Sequence, residues 1–332
     1  MKKTLARWLQ DAWYKEMYVS TWIMPFSLIY VDIIRLRRFL YCKGIFKSSK
    51  LPVPVIIVGN ITVGGTGKTP LVIWLANWLR EHGYNPGVIS RGYGGEAKEK
   101  AVFVGKDSDP QVVGDEPVLI ARHSASPMAV CADRVAAGRT LLQQHDCDVI
   151  VCDDGLQHYA LQRDIEIAVI DGQRRFGNGY CLPAGPLREP IERLREVDLV
   201  IVNGEAEEEG EYAMRFIGDR AVNLKTGEEK ELRQFKDTPC HALAGIGNPQ
   251  RFFKLLTAAG LKFQEHVFPD HFQFAAADIR FQDGKPALMT EKDAVKCQAF
   301  ADESHWHVPI RAEPQADFSE QLLTLLKEKT HG

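Results

Sequence analysis

The sequence predicts an α/β protein: a P-loop doubly wound, mostly parallel sheet with a second, smaller α/β domain. Three observations carry that prediction. An apolar run, Val55-Ile56-Ile57-Val58, breaks into Gly59-Asn60-Ile61-Thr62-Val63-Gly64-Gly65-Thr66-Gly67-Lys68-Thr69 and leads straight into a helix-period pattern, the strand–turn–helix setting a phosphate-binding loop requires. Apolar strands then alternate with helical stretches as far as residue 202, the signature of a parallel sheet with crossover helices. Finally, five glutamates in the seven positions 205–211 mark a solvated break, and the strands and helices beyond it carry no nucleotide motif.

Composition narrows the class. With 332 residues, 45% hydrophobic and 26% charged, the chain can bury a large core and is sized for two domains. The expected division is 1–45 for an N-terminal membrane-interface helical segment, 46–210 for the P-loop domain, 211–236 for a linker and 237–332 for the smaller domain, closing over the active site. A net charge of −3 argues against a general nucleic-acid binder. The seven cysteines (Cys42, Cys131, Cys147, Cys152, Cys181, Cys240 and Cys297) are odd in number and form no C-x-x-C pair, which predicts reduced thiols in a cytosolic protein.

Residues 17–31 are fifteen uncharged positions rich in aromatic and aliphatic side chains and interrupted by Pro25. A bilayer span needs about 20 apolar residues, so this stretch is too short to cross one, and it lacks a small-residue cleavage site. Lys2, Lys3 and Arg7 precede it, and Arg35, Arg37, Arg38 and Lys43 follow. Apolar and aromatic groups beside basic clusters suit the surface of an anionic leaflet. A helix packed on the core fits the same composition, and the two readings are compatible.

The glycine-rich turn carries phosphate chemistry. Thr62, Val63, Gly64, Gly65, Thr66, Gly67, Lys68 and Thr69 form the expected nucleotide-binding set: backbone N–H groups curl around the anion, Lys68 supplies charge to the β/γ-phosphates, and the Thr69 hydroxyl can ligate Mg²⁺. Leu71, Trp74, Leu75, Trp78 and Leu79 then repeat at helical spacing until Gly83, and that helix points its N-terminus at the same anion. The strict pattern wants glycine where Thr62 stands, so a chance Gly-Lys-Thr in an ordinary turn is the bland alternative; the flanking strand and helix oppose it.

A strand over 86–90 runs into Arg91-Gly92-Tyr93-Gly94-Gly95, a glycine turn at the strand end where such sheets bind ligands. A short strand over 102–104 follows, then Asp115-Glu116-Pro117 opens a helix. That acidic pair is either an N-cap or the carboxylate that accepts a hydroxyl proton in phosphoryl transfer. A strand over 128–131 precedes the helix that begins at Asp133-Arg134. Next comes Val149-Ile150-Val151-Cys152-Asp153-Asp154-Gly155, a buried strand that delivers two carboxylates beside the P-loop, where an NTPase holds Mg²⁺ or its waters. As mere turn residues such a pair would be costly unless a cation or donors compensated. After the strand over 165–171, the Gly-, Pro- and Arg-rich stretch from Arg174 to Pro190 predicts an ordered loop with cations near an anionic substrate. The strand over 199–202 should end the sheet, and no Asn-Lys-x-Asp follows it, which favours ATP over GTP.

Beyond the acidic run, strands are expected over 241–246 and 287–289, with a helix over 249–259 capped by Asn248 and stopped at Gly260. Thr290-Glu291-Lys292-Asp293 has the form of a capping box. His271, in Phe268-Pro269-Asp270-His271-Phe272, sits between a proline turn and aromatics and by itself reads as structural.

Taken together, Val58 to Pro70, Ser90-Arg91-Gly92-Tyr93-Gly94, Gly114-Asp115-Glu116-Pro117, Asp153-Asp154-Gly155-Leu156-Gln157-His158, Arg175-Phe176-Gly177-Asn178-Gly179, Leu182 to Pro190, Ala244-Gly245-Ile246-Gly247-Asn248-Pro249, Phe268-Pro269-Asp270-His271 and Thr290-Glu291-Lys292-Asp293-Ala294 resemble the tetraacyldisaccharide 4'-kinase family in motif and order, over about residues 20–300. The family's P-loop shares the Thr62 departure. The resemblance implies ATP- and Mg²⁺-dependent phosphorylation of the 4'-hydroxyl of a lipid-anchored glucosamine disaccharide 1-phosphate at the cytoplasmic face of the inner membrane. It implies Asp115 as general base with His271 as its partner, and Lys68 and Thr69 on the phosphates and metal. Glu116, Asp153 and Asp154 would stand around Mg²⁺, with Arg91, Tyr93, Arg134 and Arg188 on the substrate and phosphate side. A second histidine often follows His271 in the family; here it is Phe272.

Two other classes share parts of this pattern. A membrane-associated ATPase of the partitioning type typically carries lysine just before the glycine pair, where this chain has Val63, and a metallochaperone GTPase wants Cys/His clusters and a guanine motif.

Overall fold

The computed structural model describes residues 12–14, 18–93, 95 and 100–330, with backbone alone at 18–21 and 330. Lys2, Lys3 and Arg7 of the basic flank, and Gly94 of the second glycine turn, lie outside the described residues. In chain order the elements are α1 (Tyr18–Cys42), β1 (Val55–Gly59), α2 (Lys68–Glu81), β2 (Pro86–Ser90), β3 (Val102–Phe103), α3 (Pro110–Val113), α4 (Asp115–His123), β4 (Met128–Val130), α5 (Arg134–Gln144), β5 (Val149–Asp153), β6 (Ile165–Asp171), β7 (Leu199–Asn203) and β8 (Glu211–Ile217). They continue as β9 (Arg220–Asn223), β10 (Glu229–Glu231), β11 (Cys240–Ala244), α6 (Pro249–Ala258), β12 (Phe263–Val267), α7 (Ala276–Ile279), β13 (Ala287–Thr290), α8 (Glu291–Cys297), β14 (His305–Val308), β15 (Arg311–Pro314) and α9 (Ala316–Thr330).

β1 is buried along its whole length, so its two faces need separate cover. Ile56 and Val58 pack with Leu71, Leu75 and Leu79 of α2 and with α4, while Val55 and Ile57 pack with Val135, Ala137 and Leu141 of α5. Helices on both faces of a sheet give the doubly wound form. The sheet has nine strands in the order β15-β8-β7-β6-β1-β5-β2-β4-β3. Only β15 on β8 and β3 on β4 pair antiparallel. A second sheet of six strands runs β10-β9-β14-β13-β11-β12 and packs Leu288, Trp306 and Val308 against Phe252, Phe253 and Leu256.

Two expectations need correction. The strand ending at Asn203 does not close the first sheet: the acidic run leads into β8, which pairs with β7, and the Glu211 carboxylate is taken up by Arg175 at 2.8 Å. The stretch 211–236 is therefore not a linker, since β8 extends the first sheet while β9 and β10 build the edge of the second. Nor does everything after residue 236 belong to the second unit. β15 returns to pair with β8, and α9 buries Phe318, Leu322 and Leu326 in the first core, with Phe318 centred 5.8 Å from the Trp74 ring. Those three apolar positions at helical spacing are buried in a core built by distant segments, Phe318 against Trp74 of α2, which a local pattern cannot name.

α1 is fastened on one side and open on the other. Ser27 Oγ donates to Cys181 O (2.7 Å) and Tyr30 Oη to Arg188 O (3.0 Å). Trp22, Phe26, Ile29, Ile33 and Leu36, at steps of three and four residues, share the opposite stripe and are exposed, Trp22 at 87%. Among the described residues no helix is long and apolar enough to cross a membrane.

Candidate active site

The turn between β1 and α2 needs its glycines. Gly64 (φ 111°) and Gly67 (φ 102°) occupy the left-handed region, and a Cβ on Gly67 would lie 2.4 Å from the Phe216 ring and 2.5 Å from the Asn203 amide. Thr62 has no positive φ, so the missing glycine of the strict pattern costs nothing here. Its strand-like backbone bridges Leu187, and the Val63 N–H donates to Pro186 O at 2.8 Å, so the 182–190 segment clamps the loop. Asn203, missed in the sequence reading, clamps it from the other side by donating to Thr66 O at 3.1 Å.

Lys68 opens α2, and its Nζ lies 3.3 Å from Asp154 Oδ1. Arg188 Nη1 reaches both Asp154 oxygens at 3.1 Å. Burial alone would raise the Asp154 carboxyl, but the charges of Lys68 and Arg188 hold it well below the usual carboxylate range. Asp153 behaves oppositely. Burial, with the charges of Glu116 and Asp154, pushes it up to about 7. Ser90 Oγ donates to its Oδ2 at 3.1 Å, while its Oδ1 is buried with no hydrogen-bond partner. Arg134 is buried behind this pair and donates to Asp154 O at 3.2 Å, its Nε unpartnered. Thr69 lies half-buried next to Lys68.

Asp115 serves a helix start and also faces a histidine. Gly114 is the N-cap of α4, and Asp115 Oδ1 accepts the Glu116 N–H at 2.9 Å, which serves the helix end. Oδ2 faces the other way, 3.2 Å from His271 Nδ1, although His271 belongs to the turn after β12 of the second sheet. Asp115 is 5% exposed. Burial works to raise it, but the hydrogen bond to His271 and the charge of Lys292 keep it below the ordinary carboxylate value. The same hydrogen bond raises His271. Tyr93 is exposed with its ring 5.1 Å from the His271 ring, and Arg91 lies exposed just beyond β2.

Glu116 accepts from Lys292 Nζ at 2.9 Å; the same Nζ donates to Asp270 at 3.2 Å. The sequence reading gave neither partner a role, and the only signal was their place in motifs at 290–294 and 268–271.

The second unit also touches the P-loop. A Cβ on Gly247 would sit 2.7 Å from Gly65 N, and Arg174 donates to Gly247 O at 2.8 Å. Asn248 stands at the N-cap of α6 as expected, but its side chain does not bond the helix end: its amide donates to Asp171 Oδ2 (3.2 Å), while Arg251 holds Asp171 Oδ1 (2.7 Å). Arg175, expected near an anionic substrate, is instead spent on Glu211. Beyond Gly67, on the β7–β8 side, opens a cleft of about 1120 Å³ lined by Asn203, Gly204, Phe216, Arg251 and Leu255.

The sequence matches the family described as Tetraacyldisaccharide-1-P 4'-kinase over residues 19–327. Among curated relatives, a tetraacyldisaccharide 4'-kinase of Nitrosococcus oceani is 52% identical over 95% of this chain and 93% of its own length. One from Methylobacillus flagellatus is 49% identical over 98% of each. Among solved structures, the "apo" form of LpxK from Aquifex aeolicus in complex with ATP superposes with a TM-score of 0.78 at 29% identity, covering 93% of this chain and 99% of that one. By sequence and by fold, this chain belongs to the tetraacyldisaccharide-1-phosphate 4'-kinase family.

Proposed function

We propose that this chain transfers the γ-phosphoryl group of ATP to the 4'-hydroxyl of a tetraacyldisaccharide 1-phosphate, giving the bis-phosphorylated lipid A precursor, at the cytoplasmic face of the bacterial inner membrane. The observation that carries the reading is the Asp115–His271 pair, 3.2 Å apart, beside a P-loop whose Lys68 faces Asp154. Asp115, kept ionised and nearly buried, is the group that accepts the hydroxyl proton as its oxygen attacks phosphorus, and His271 orients and supports it. Lys68 and the loop's N–H groups hold the β/γ-phosphates. Arg188, Arg134, Arg91 and Tyr93 border the phosphate and acceptor side.

The donor set fits Mg²⁺. Among the described residues no three His, Cys, Asp or Glu converge into an all-protein metal site. Mg²⁺ is usually held by one or two carboxylates together with nucleotide phosphates, and the orphaned, buried Asp153 Oδ1 is such a ligand in waiting. Asp153, Asp154 or Glu116, with the Thr69 hydroxyl, would hold it, and when bound it neutralises charge developing on the phosphates. With Lys68 and Asp154 on the β5 side of the loop, the nucleoside falls on the β7–β8 side, in the cleft beyond Gly67.

The exposed stripe of α1, flanked by Arg35, Arg37 and Lys43, supports an interfacial seat on an anionic leaflet. Incubation with labelled ATP and a 4'-dephosphorylated lipid A precursor tests the function. Label in the lipid is expected; release of inorganic phosphate alone would point to a membrane-associated ATPase instead.

A further inference from the structure

Lys292 is placed against its local preference. It sits in the first turn of α8, where the helix dipole disfavours a cation. Thr290 and Asp293 exchange hydrogen bonds there and already satisfy the helix end, so the cap does not need it. The reason for the lysine is therefore tertiary. Its ammonium, on a side chain 15% exposed, spans from Glu116 of the first unit (2.9 Å) to Asp270 of the second (3.2 Å).

Asp270 matters because of its neighbour. His271 has φ +57°, a left-handed conformation that strains a non-glycine residue. That turn is held by the His271 N–H donating to Asp270 Oδ1 at 3.1 Å, and Lys292 binds the same oxygen. The aim of the imidazole at Asp115 thus depends on a carboxylate that Lys292 pins to the start of α4. Along the rest of the α4–α8 contact, His123 meets Glu291 (2.7 Å) and Arg122 meets Gln298 (2.9 Å), so the two helices are seated at both ends and Lys292 is the link at the catalytic end.

We propose that Lys292 is a positioning residue for the transfer reaction: by joining Glu116 to Asp270 it fixes the strained turn that aims His271 at Asp115, so the seating of one unit on the other assembles the acceptor-activating pair. The proposal rests on the Asp115–His271 reading above and deepens it.

Lys292→Met keeps the apolar stem and removes the charge; Lys292→Arg keeps the charge. The expected result is a kcat lower by about 5- to 30-fold in Lys292→Met, no more than His271→Ala itself costs, with KM for ATP changed less than about threefold and partial recovery in Lys292→Arg. In a His271→Ala background Lys292→Met should cost several-fold less than in the parent, since most of its effect passes through the imidazole and only the direct pull of its charge on Asp115 remains. Imidazole ¹⁵N–¹H spectra without nucleotide, with His271 assigned by its loss in His271→Ala, should show the His271 ring signal shifted or broadened in Lys292→Met. Asp270→Asn reads the same coupling without touching Lys292, and serves if Lys292→Met does not fold. An equal loss from Lys292→Met, or from Asp270→Asn, with and without His271, or an unmoved His271 signal, overturns the proposal alone. A kcat unaffected by His271→Ala overturns the dyad reading and the proposal with it.

Discussion

Removing Asp115 and His271 singly and together gives the most informative numbers. If Asp115 is the general base proposed above, Asp115→Ala should lower kcat by on the order of 10²–10⁴, or about 2.7–5.5 kcal/mol. It also leaves the Glu116 N–H without its 2.9 Å acceptor, which should cost about 1 kcal/mol of stability and a degree or two in Tm, far too little to explain such a rate loss. His271→Ala removes one hydrogen bond to a charged carboxylate, about 1.5–3 kcal/mol in general, and toward the lower end here because the imidazole is 26% exposed. That predicts a loss of about 10- to 50-fold. The two side chains meet at 3.2 Å, so they act as one unit, and in the Asp115→Ala background His271→Ala should cost less than about threefold. Four single-turnover rates with saturating ATP and lipid decide the matter. Losses that multiply in full would mean that the two residues work independently, and the pairing would be wrong.

Lys68→Ala should remove most transfer while circular dichroism and Tm stay close to the parent, and activity within about threefold of the parent would overturn its role on the phosphates. Trp22→Glu with Phe26→Glu, both on the open stripe of α1, should release the protein from anionic vesicles and raise KM for the lipid more than for ATP; unchanged flotation would leave α1 a purely packed helix. Asp153, raised from its ordinary 3.8 to about 7, binds its proton more tightly folded than unfolded, so the nucleotide-free protein should lose stability as pH rises from about 4 to 7 and level off above. Asp153→Asn should flatten that window in urea titrations, and an unchanged slope would show that Asp153 does not titrate there.

The P-loop, the Asp153-Asp154 strand end and the Asp115-Glu116 helix start were legible because each is a local arrangement: a strand, a turn and a few side chains within one stretch. The ambiguity at Asp115 was also local, and what bears on it, the contact of its second oxygen with His271, is not. His271 could be paired with Asp115 by resemblance but not by physics, since the contact joins two sheets. Lys292 and Glu116 are 176 positions apart, and no periodicity announces such a contact. The return of β15 and α9 was hidden for the same reason. α9 has an ordinary amphipathic pattern, and amphipathicity says that a face will be buried, not where. The acidic run is solvated as its charge suggests, with 205–210 exposed, but it is a loop within the first sheet and not its edge, because Glu211 meets Arg175 and opens β8.

The return of the chain's last segment has a bearing on synthesis. The second sheet is inserted between β8 and β15, two adjacent strands of the first. A nascent chain that has reached residue 310 therefore holds every part of the inserted unit while the host sheet still shows a bare edge along β8 and an uncovered Trp74–Trp78 surface on α2. The insert's strands are complete in sequence before β15 and α9 are made, and the nucleotide-binding unit closes only when residues 311–330 join it. Until then the two tryptophans and the open edge are the surfaces a chaperone would find.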